Sequence, residues 1–198
     1  MTATIGNAMK PLHTNRLILR NWEDRDRDLF FRINSDERVM EFFPFRRNRT
    51  EADAKLSEMR DDIERKGFGF AAAEIAAIGE CIGFVGLTRT DHLPFLPEGT
   101  IEIGWRLVPE FWGHGYVSEA SRAWLAFGFD TLGSDEIVSF AVRDNRRSTA
   151  VMERIGMTAD PTRDFDHPGV PESHPHLRPH AFYSLKRRDW EEQKRAAN

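Results

Sequence analysis

The stretch Ile101-Glu102-Ile103-Gly104-Trp105-Arg106-Leu107-Val108-Pro109-Glu110-Phe111-Trp112-Gly113-His114-Gly115-Tyr116-Val117-Ser118-Glu119-Ala120 contains a change of period that decides the fold. From 100 to 108 the apolar residues alternate: Ile101, Ile103, Trp105 and Leu107 fall on one face and Glu102, Gly104 and Arg106 on the other, the pattern of a strand. Pro109 stops the ladder because it has no N–H to donate. From Val117 to Phe129 the period lengthens, and Ala120, Ala123, Trp124 and Phe127 follow the i, i+3, i+4, i+7 spacing of a buried helical stripe. Strand, proline, glycine turn and helix together aim several backbone N–H groups and the positive helix end at one spot. Glycines at 113 and 115 let an anion approach that backbone. A diphosphate is the natural guest, and neither nucleotide motif competes: a Walker loop needs Gly-Lys-Ser/Thr, and a dinucleotide fingerprint needs a third glycine where Ser118 stands.

Outward from this stretch, the spacing predicts a first strand at 14–20 and helices at 24–35 and 50–66, the second capped by Thr50 and ended by Gly67. Strands at 68–75 and 81–88 are joined by Ala77-Ile78-Gly79-Glu80 as a hairpin. A Pro-containing loop at 91–99 precedes the strand of the opening stretch. Beyond the long helix come a strand at 136–142, a helix capped by Asn145 and ended by Gly156, a Pro- and His-rich segment at 160–179, and a last strand at 180–186. No repeat or linker marks a second domain. The expected organisation is a loose segment at 1–10, one domain over 11–190 and a tail at 191–198.

With 198 residues, one core is sufficient. The charges nearly cancel at a net −4, so no broad cationic surface exists to follow a nucleic acid backbone. No apolar run approaches the roughly 20 residues of a membrane span, and the amino terminus lacks a signal-peptide pattern. Cys81, the single cysteine, has no internal disulfide partner and reads as a small core residue. A cytoplasmic, reducing compartment is expected, with neither membrane nor nucleic acid as partner.

Pro-Glu-Phe-Trp-Gly-His-Gly-Tyr-Val-Ser-Glu-Ala at 109–120 resembles the cofactor motif of the GNAT superfamily of acyl-CoA N-acyltransferases, in particular its ribosomal-protein N-terminal acetyltransferase branch. Asn145-x-x-Ser148 through Gly156-Met157 is similar to that branch's Asn-x-x-Ser helix, and Thr14-x-Arg16-Leu17-x-Leu19-Arg20 to its opening. Glu110 departs from the superfamily's usual Gln or Arg at a position that mainly supplies backbone. The resemblance implies an α+β fold with a mixed, mostly antiparallel seven-stranded sheet flanked by helices. Its fourth and fifth strands, 100–108 and 136–142, would splay to hold acetyl-CoA as co-substrate. Backbone groups of Leu107 and Val108 would then pair with the pantetheine, the N–H groups of Gly113 to Val117, with His114, Gly115 and Tyr116 between, would hold the pyrophosphate, Trp112 would also belong to the cofactor site, and Asn145 would reach the pantetheine from the other side. Ser148 would approach the sulfur. Asn145 and Ser148 also read as ordinary caps of the helix start. A homodimer is left open.

Amine attack on a thioester needs a neutral amine, yet an α-amino group titrates at about 7.7–8.0 and a lysine near about 10.4, so a base must take the proton. Glu102 is the candidate base, set against the alternative of a simple ion pair with Arg106; His114, His92 and Glu119 are rivals. An N–H near Leu107 or Val108 is the candidate oxyanion donor. The acceptor is a primary amine, a protein amino terminus or a small molecule. Trp22, Phe42, Phe43, Phe45, His167 and His176 are its candidate contacts, the first four being equally readable as packing. A larger acyl group such as succinyl would call for a cation, with Arg89, Arg106 and Arg143 available, and the non-catalytic alternative is an acyl-CoA-binding module. No metal is expected: His167, His174, His176 and His180 have no thiolate beside them.

Overall fold

A computed structural model describes residues 9–91 and 93–196; most of the expected loose terminus, His92 and the last two residues lie outside it. The elements run β1 (Leu12–His13), β2 (Leu17–Arg20), a 3-10 turn (Asp24–Asp26), α1 (Arg27–Ser35), α2 (Arg49–Lys66), β3 (Phe70–Ile75), β4 (Glu80–Arg89) and β5 (Ile101–Leu107). They continue with α3 (Tyr116–Ala126), β6 (Glu136–Val142), α4 (Arg146–Arg154), β7 (Thr158–Ala159), β8 (Phe165–Asp166), β9 (Pro179–Lys186) and α5 (Arg187–Ala196). The sheet order is β1-β2-β3-β4-β5-β6-β9-β7, with β8 also on β9. It is the mixed α+β sheet expected, antiparallel in β1-β2-β3-β4 and in β6-β9, and parallel between β5 and β6. Nine strands stand where seven are expected; the difference lies among the two-residue segments β1, β7 and β8.

Contacts group the chain into two compact units, Met1–Glu41 with Phe45–Thr88 and Gly104–Ala123, and Phe42–Pro44 with Arg89–Ile103 and Trp124–Asn198. In the first unit Leu17, Leu19, Phe30, Ile33, Leu56 and Ile82 are buried. Trp22 belongs to this core and is no acceptor contact: it is 2% exposed, meets Phe30 edge-on at 5.0 Å and donates its indole N–H to the Phe70 carbonyl at 2.8 Å. An aromatic ring with a satisfied polar end is a core residue. Arg20 is buried with Asp26 and Glu74, donating to Asp26 at 2.7 and 3.0 Å and to Glu74 at 2.8 Å. Asp26 closes the 3-10 turn, which is why the helix expected from residue 24 becomes α only at Arg27. α2 starts one residue before Thr50, and its cap is Asn48, which exchanges hydrogen bonds with Glu51 at 3.0 and 2.9 Å. That reciprocal box satisfies two helix-end donors where Thr50 would satisfy one. Gly67 ends the helix as expected.

In the second unit Trp124, Phe129, Val138, Met152 and Phe182 form the core. β6 and β9 pair along the whole of β6, from Glu136 opposite Lys186 to Val142 opposite His180. α5 runs through residues 191–196, a stretch expected to be tail. It is anchored by Arg187, which donates to the carbonyls of Phe129 and Ser134 at 2.8 and 2.7 Å, and by Trp190 stacked on Phe129 at 5.6 Å. No helix among the described residues is long and apolar enough to cross a membrane.

One irregularity shapes the approach of β4 to β5. Opposite β3 the register passes from Ala73–Gly83 to Glu74–Cys81, so Ile82 is an extra residue in β4, a bulge. Gly83 follows it at φ 143°, and a Cβ there would lie 2.2 Å from the Arg106 carbonyl oxygen of β5. The backbone conformation and the close approach both demand glycine. Gly83→Ala is therefore expected to lower the melting temperature by about 5 °C or more, read by calorimetry; an unchanged melting temperature would mean that β5 moves aside freely.

Candidate active site

Several backbone groups at the end of β5 have traceable destinations. The ladder with β6 has two parallel pairs among the described residues, Ile101 with Ile137 and Glu102 with Val138. Immediately beyond, the Ser139 hydroxyl donates to the Ile103 carbonyl at 2.9 Å, so a side chain ends the ladder. The Val108 N–H donates to the Ile82 carbonyl of β4 at 3.1 Å. That bond removes Val108 as an oxyanion donor. Because neighbouring residues of a strand turn their backbone groups to opposite edges, Leu107 directs its own N–H away from β4. The Leu107 carbonyl accepts from the Trp112 indole at 2.8 Å, which leaves it one lone pair. Trp112 is thus a brace between the strand end and the turn.

The turn itself follows a 3-10 segment, Pro109–Phe111, pinned to α1 by an ion pair between Glu110 and Arg32. Gly113 and Gly115 both have φ 79°, and Gly113, His114 and Gly115 are exposed. A Cβ on Gly113 would meet nothing within 4 Å, so conformation and not space is what requires glycine there. Glu119, in the first turn of α3, accepts from the Thr14 hydroxyl at 2.6 Å, the Arg16 N–H at 2.8 Å and Arg16 Nε at 2.7 Å. Arg16 also donates from Nη1 to the His114 carbonyl at 3.0 Å and lies 4.4 Å over the Tyr116 ring. In a trans peptide the carbonyl of one residue and the N–H of the next point in opposite directions. By holding the His114 carbonyl, Arg16 therefore aims the Gly115 N–H the other way. The His114 ring stacks on Tyr116 at 6.0 Å. Burial pushes the Glu119 carboxyl up, but the bonds from Thr14 and Arg16 outweigh it and hold it below the usual glutamate value. A carboxylate so committed is a strut and not a base.

Glu102 has a different environment. It keeps some solvent-accessible surface, yet protein atoms surround its carboxyl, and burial pushes it up to about 8. Among the described residues it has no side-chain hydrogen bond or ion pair, so the alternative of pairing with Arg106 does not form. Arg106 donates instead to Asn34 Oδ1 at 2.7 Å, and its guanidinium lies 5.5 Å over Phe84.

In the second unit Asn145 Oδ1 accepts from the Ser148 N–H at 3.2 Å, the expected cap, and the amide NH₂ carries no bond among the described residues. The Ser148 hydroxyl, half-buried, is likewise without a hydrogen bond there, so it is not the second cap. Tyr183 donates to Glu153 at 3.2 Å. The candidate acceptor contacts separate: Phe42 lies 5.9 Å beneath Arg147, Phe43 is half-buried, and Phe45 is 40% exposed under Arg47. His167 joins Phe140, Phe165 and His180 in one aromatic cluster, 4.9 Å from His180, whereas exposed His176 is 6.2 Å from His174. His180 Nδ1 lies 2.8 Å from the Arg178 carbonyl and so carries the proton, and burial holds its pKa below the usual value. Arg143 pairs with Asp164 and Arg89 donates to the Gly99 carbonyl, so both are committed. No group of three or more His, Cys, Asp or Glu among the described residues is arranged to hold a metal ion. The Cys81 thiol, half-buried, is pushed up to about 12 by burial.

A model of the acetyltransferase (GNAT) domain matches residues 16–158. The chain belongs to the GNAT acetyltransferase family. This acetyltransferase is 29% identical over 191 residues to the FsC-acetyl coenzyme A-N(2)-transacetylase of Aspergillus fumigatus, covering 92% of this chain and 79% of that one. It is 31% identical over 149 residues to the uncharacterised N-acetyltransferase YnaD of Bacillus subtilis, covering 73% and 80%. A crystal structure of an acetyltransferase from Agrobacterium tumefaciens superposes with a TM-score of 0.68 at 29% identity, over 89% of this chain and 94% of that one. The acetyltransferase is accordingly an acetyl-CoA-dependent enzyme with an α+β GNAT fold.

Sequence reasoning missed the clamp of Thr14, Arg16 and Glu119, although all three residues lie inside quoted motifs; no spacing rule links positions about a hundred residues apart. Arg16→Ala is expected to weaken coenzyme A binding about tenfold, read by calorimetry, with Arg16→Lys intermediate because an ammonium lacks the forked reach to Glu119 and His114. Equal affinity of all three proteins would show that the turn keeps its shape unaided.

Proposed function

We propose that this acetyltransferase moves the acetyl group of acetyl-CoA to a primary amine by direct attack in a ternary complex, with Glu102 as the base. The observation carrying this reading is the Glu102 carboxyl, raised to about 8 by burial alone and without an ion pair among the described residues. A base works best when its pKa lies near the operating pH. The amine nitrogen forms its bond to the thioester carbon, the carbonyl electron pair moves to oxygen, and the amine proton goes to Glu102 directly or through water. The Leu107 N–H faces the developing oxyanion. Collapse breaks the carbon–sulfur bond, and the Ser148 hydroxyl donates a hydrogen bond to the departing sulfur.

In the same reading the pyrophosphate lies on the N–H groups of Gly113 to Val117, and Asn145 offers its NH₂ to the pantetheine. The exposure of the turn and the unused amide support both roles. The acceptor is a protein amino terminus or a small-molecule amine. The order of the 14–20, 109–120 and 145–157 motifs supports the ribosomal-protein branch, and the half-buried, single Cys81 suits a reducing cytoplasm.

Glu102→Gln is expected to lower thiol release from acetyl-CoA at least about a hundredfold while coenzyme A affinity stays within about twofold, and to leave only the ionisation of the amine in the rise of kcat/KM with pH, without the step at about 8 that Glu102 adds. Full activity in the variant would assign the base elsewhere. Stability supplies an independent sign. A carboxyl whose folded pKa is raised costs stability once the unfolded chain ionises, and the cost is complete above the folded value. The melting temperature of Glu102→Gln relative to the parent should therefore climb between pH 5 and pH 9, and a flat difference would contradict the raised pKa.

A further inference from the structure

Asn34 of α1 is buried, and its amide orientation is fixed because Nδ2 donates to the Phe30 carbonyl at 2.7 Å. Two arginines attach to its two carbonyl oxygens: Arg106 Nη1 to Oδ1 at 2.7 Å, and the Arg47 N–H to the backbone oxygen at 2.9 Å. Each guanidinium lies over a ring, Arg106 over Phe84 at 5.5 Å and Arg47 over Phe45 at 4.7 Å. Among the described residues no carboxylate pairs with Arg47, and its Nε is buried without a hydrogen-bond partner. The buried guanidinium of Arg20, by contrast, is matched by Asp26 and Glu74. An unsatisfied buried N–H on a cation, with a second cation close by, is costly until an anion arrives. Burial, together with the charge of Arg47, accordingly lowers Arg106 to about 9.

We infer that Arg47 and Arg106, gathered by Asn34, bind a carboxylate carried by one of the two substrates. The inference rests on the function proposed above, which makes β5 the strand beside the reacting thioester. Arg106 stands between Trp105 and Leu107 on that strand. The carboxylate is then either the far end of a dicarboxylic acyl group or the α-carboxylate of an amino-acid acceptor. Guanidinium recognises both through the same forked hydrogen bonds.

The test uses matched pairs with the parent, Arg47→Gln and Arg106→Gln: succinyl-CoA against acetyl-CoA with one amine, and alanine against alaninamide with acetyl-CoA. The parent is expected to favour the anionic member of one pair by about tenfold or more in kcat/KM, and both variants to bring that ratio within about twofold. Whichever pair shows the preference tells which substrate carries the carboxylate. Arg47→Gln removes no side-chain hydrogen bond of the described structure, so a ratio lost in that variant does not come from misfolding. A parent without preference in either pair, or a preference surviving Arg47→Gln, overturns the inference. Absence of turnover with every pair would defeat the proposed function separately. Calorimetry with the same ligands then decides: about tenfold tighter binding of an anionic member, lost in Arg47→Gln, supports the carboxylate site, and equal affinities overturn it.

Discussion

A parallel ladder two pairs long among the described residues is the constraint on which the rest of this molecule depends. Once β5 has passed Glu102 and β6 has passed Val138, each strand must find other partners for its backbone polar groups, because buried N–H and C=O groups left unpaired are expensive. The molecule answers at three points: the Ser139 hydroxyl takes the Ile103 carbonyl, the Trp112 indole takes the Leu107 carbonyl, and Ile82 takes the Val108 N–H. The last bond needs β4 to come close to β5, and Gly83 beside the Ile82 bulge makes that approach sterically feasible. The direction left to the Leu107 N–H thus follows from how the neighbouring groups are occupied.

The same reasoning gives the opening segment a purpose. Leu17 and Leu19 are ordinary core residues of β2, but Thr14 and Arg16 leave the sheet to seize Glu119, and Arg16 goes on to the His114 carbonyl. Anion-binding turns are often described by their glycines, which only permit the conformation. What selects it here is an external guanidinium that fixes one peptide plane. Arg20, four residues later, turns inward and ties β2 to the 3-10 turn and β3 through Asp26 and Glu74. One short segment therefore braces both the glycine turn and the buried charge cluster beneath α1.

Much of the fold was legible wherever period and punctuation agreed. The alternation of 101–107, the stop at Pro109 and the stripe beginning near Val117 all correspond to elements, because local pattern there matches what tertiary packing requires. The helix start at residue 24 was misread because Asp26 answers to Arg20, a partner outside the local window. The cap of α2 was misplaced by two residues because Asn48 and Thr50 both suit a cap, and only the Glu51 contact separates them. In the candidate site the sequence pointed to Glu102 but left its ionisation open, since a nearby arginine on the same face looked like its partner. Burial and the bond from Arg106 to Asn34 separate the two. Trp22 was ambiguous for the reason aromatic residues generally are: a ring suits a pocket wall and a core equally, and only its exposure discriminates.

Cys81 has a practical consequence. A thiol pushed by burial this far above its ordinary value stays almost wholly protonated at neutral pH, and thiolate is the form that reacts with disulfides and alkylating reagents. The chain therefore contributes almost no signal of its own to a chromogenic disulfide reagent, so colour developed during turnover reports liberated coenzyme A. For the same reason a cysteine introduced at an exposed position such as His114 would take up a fluorophore selectively, without first replacing the native one.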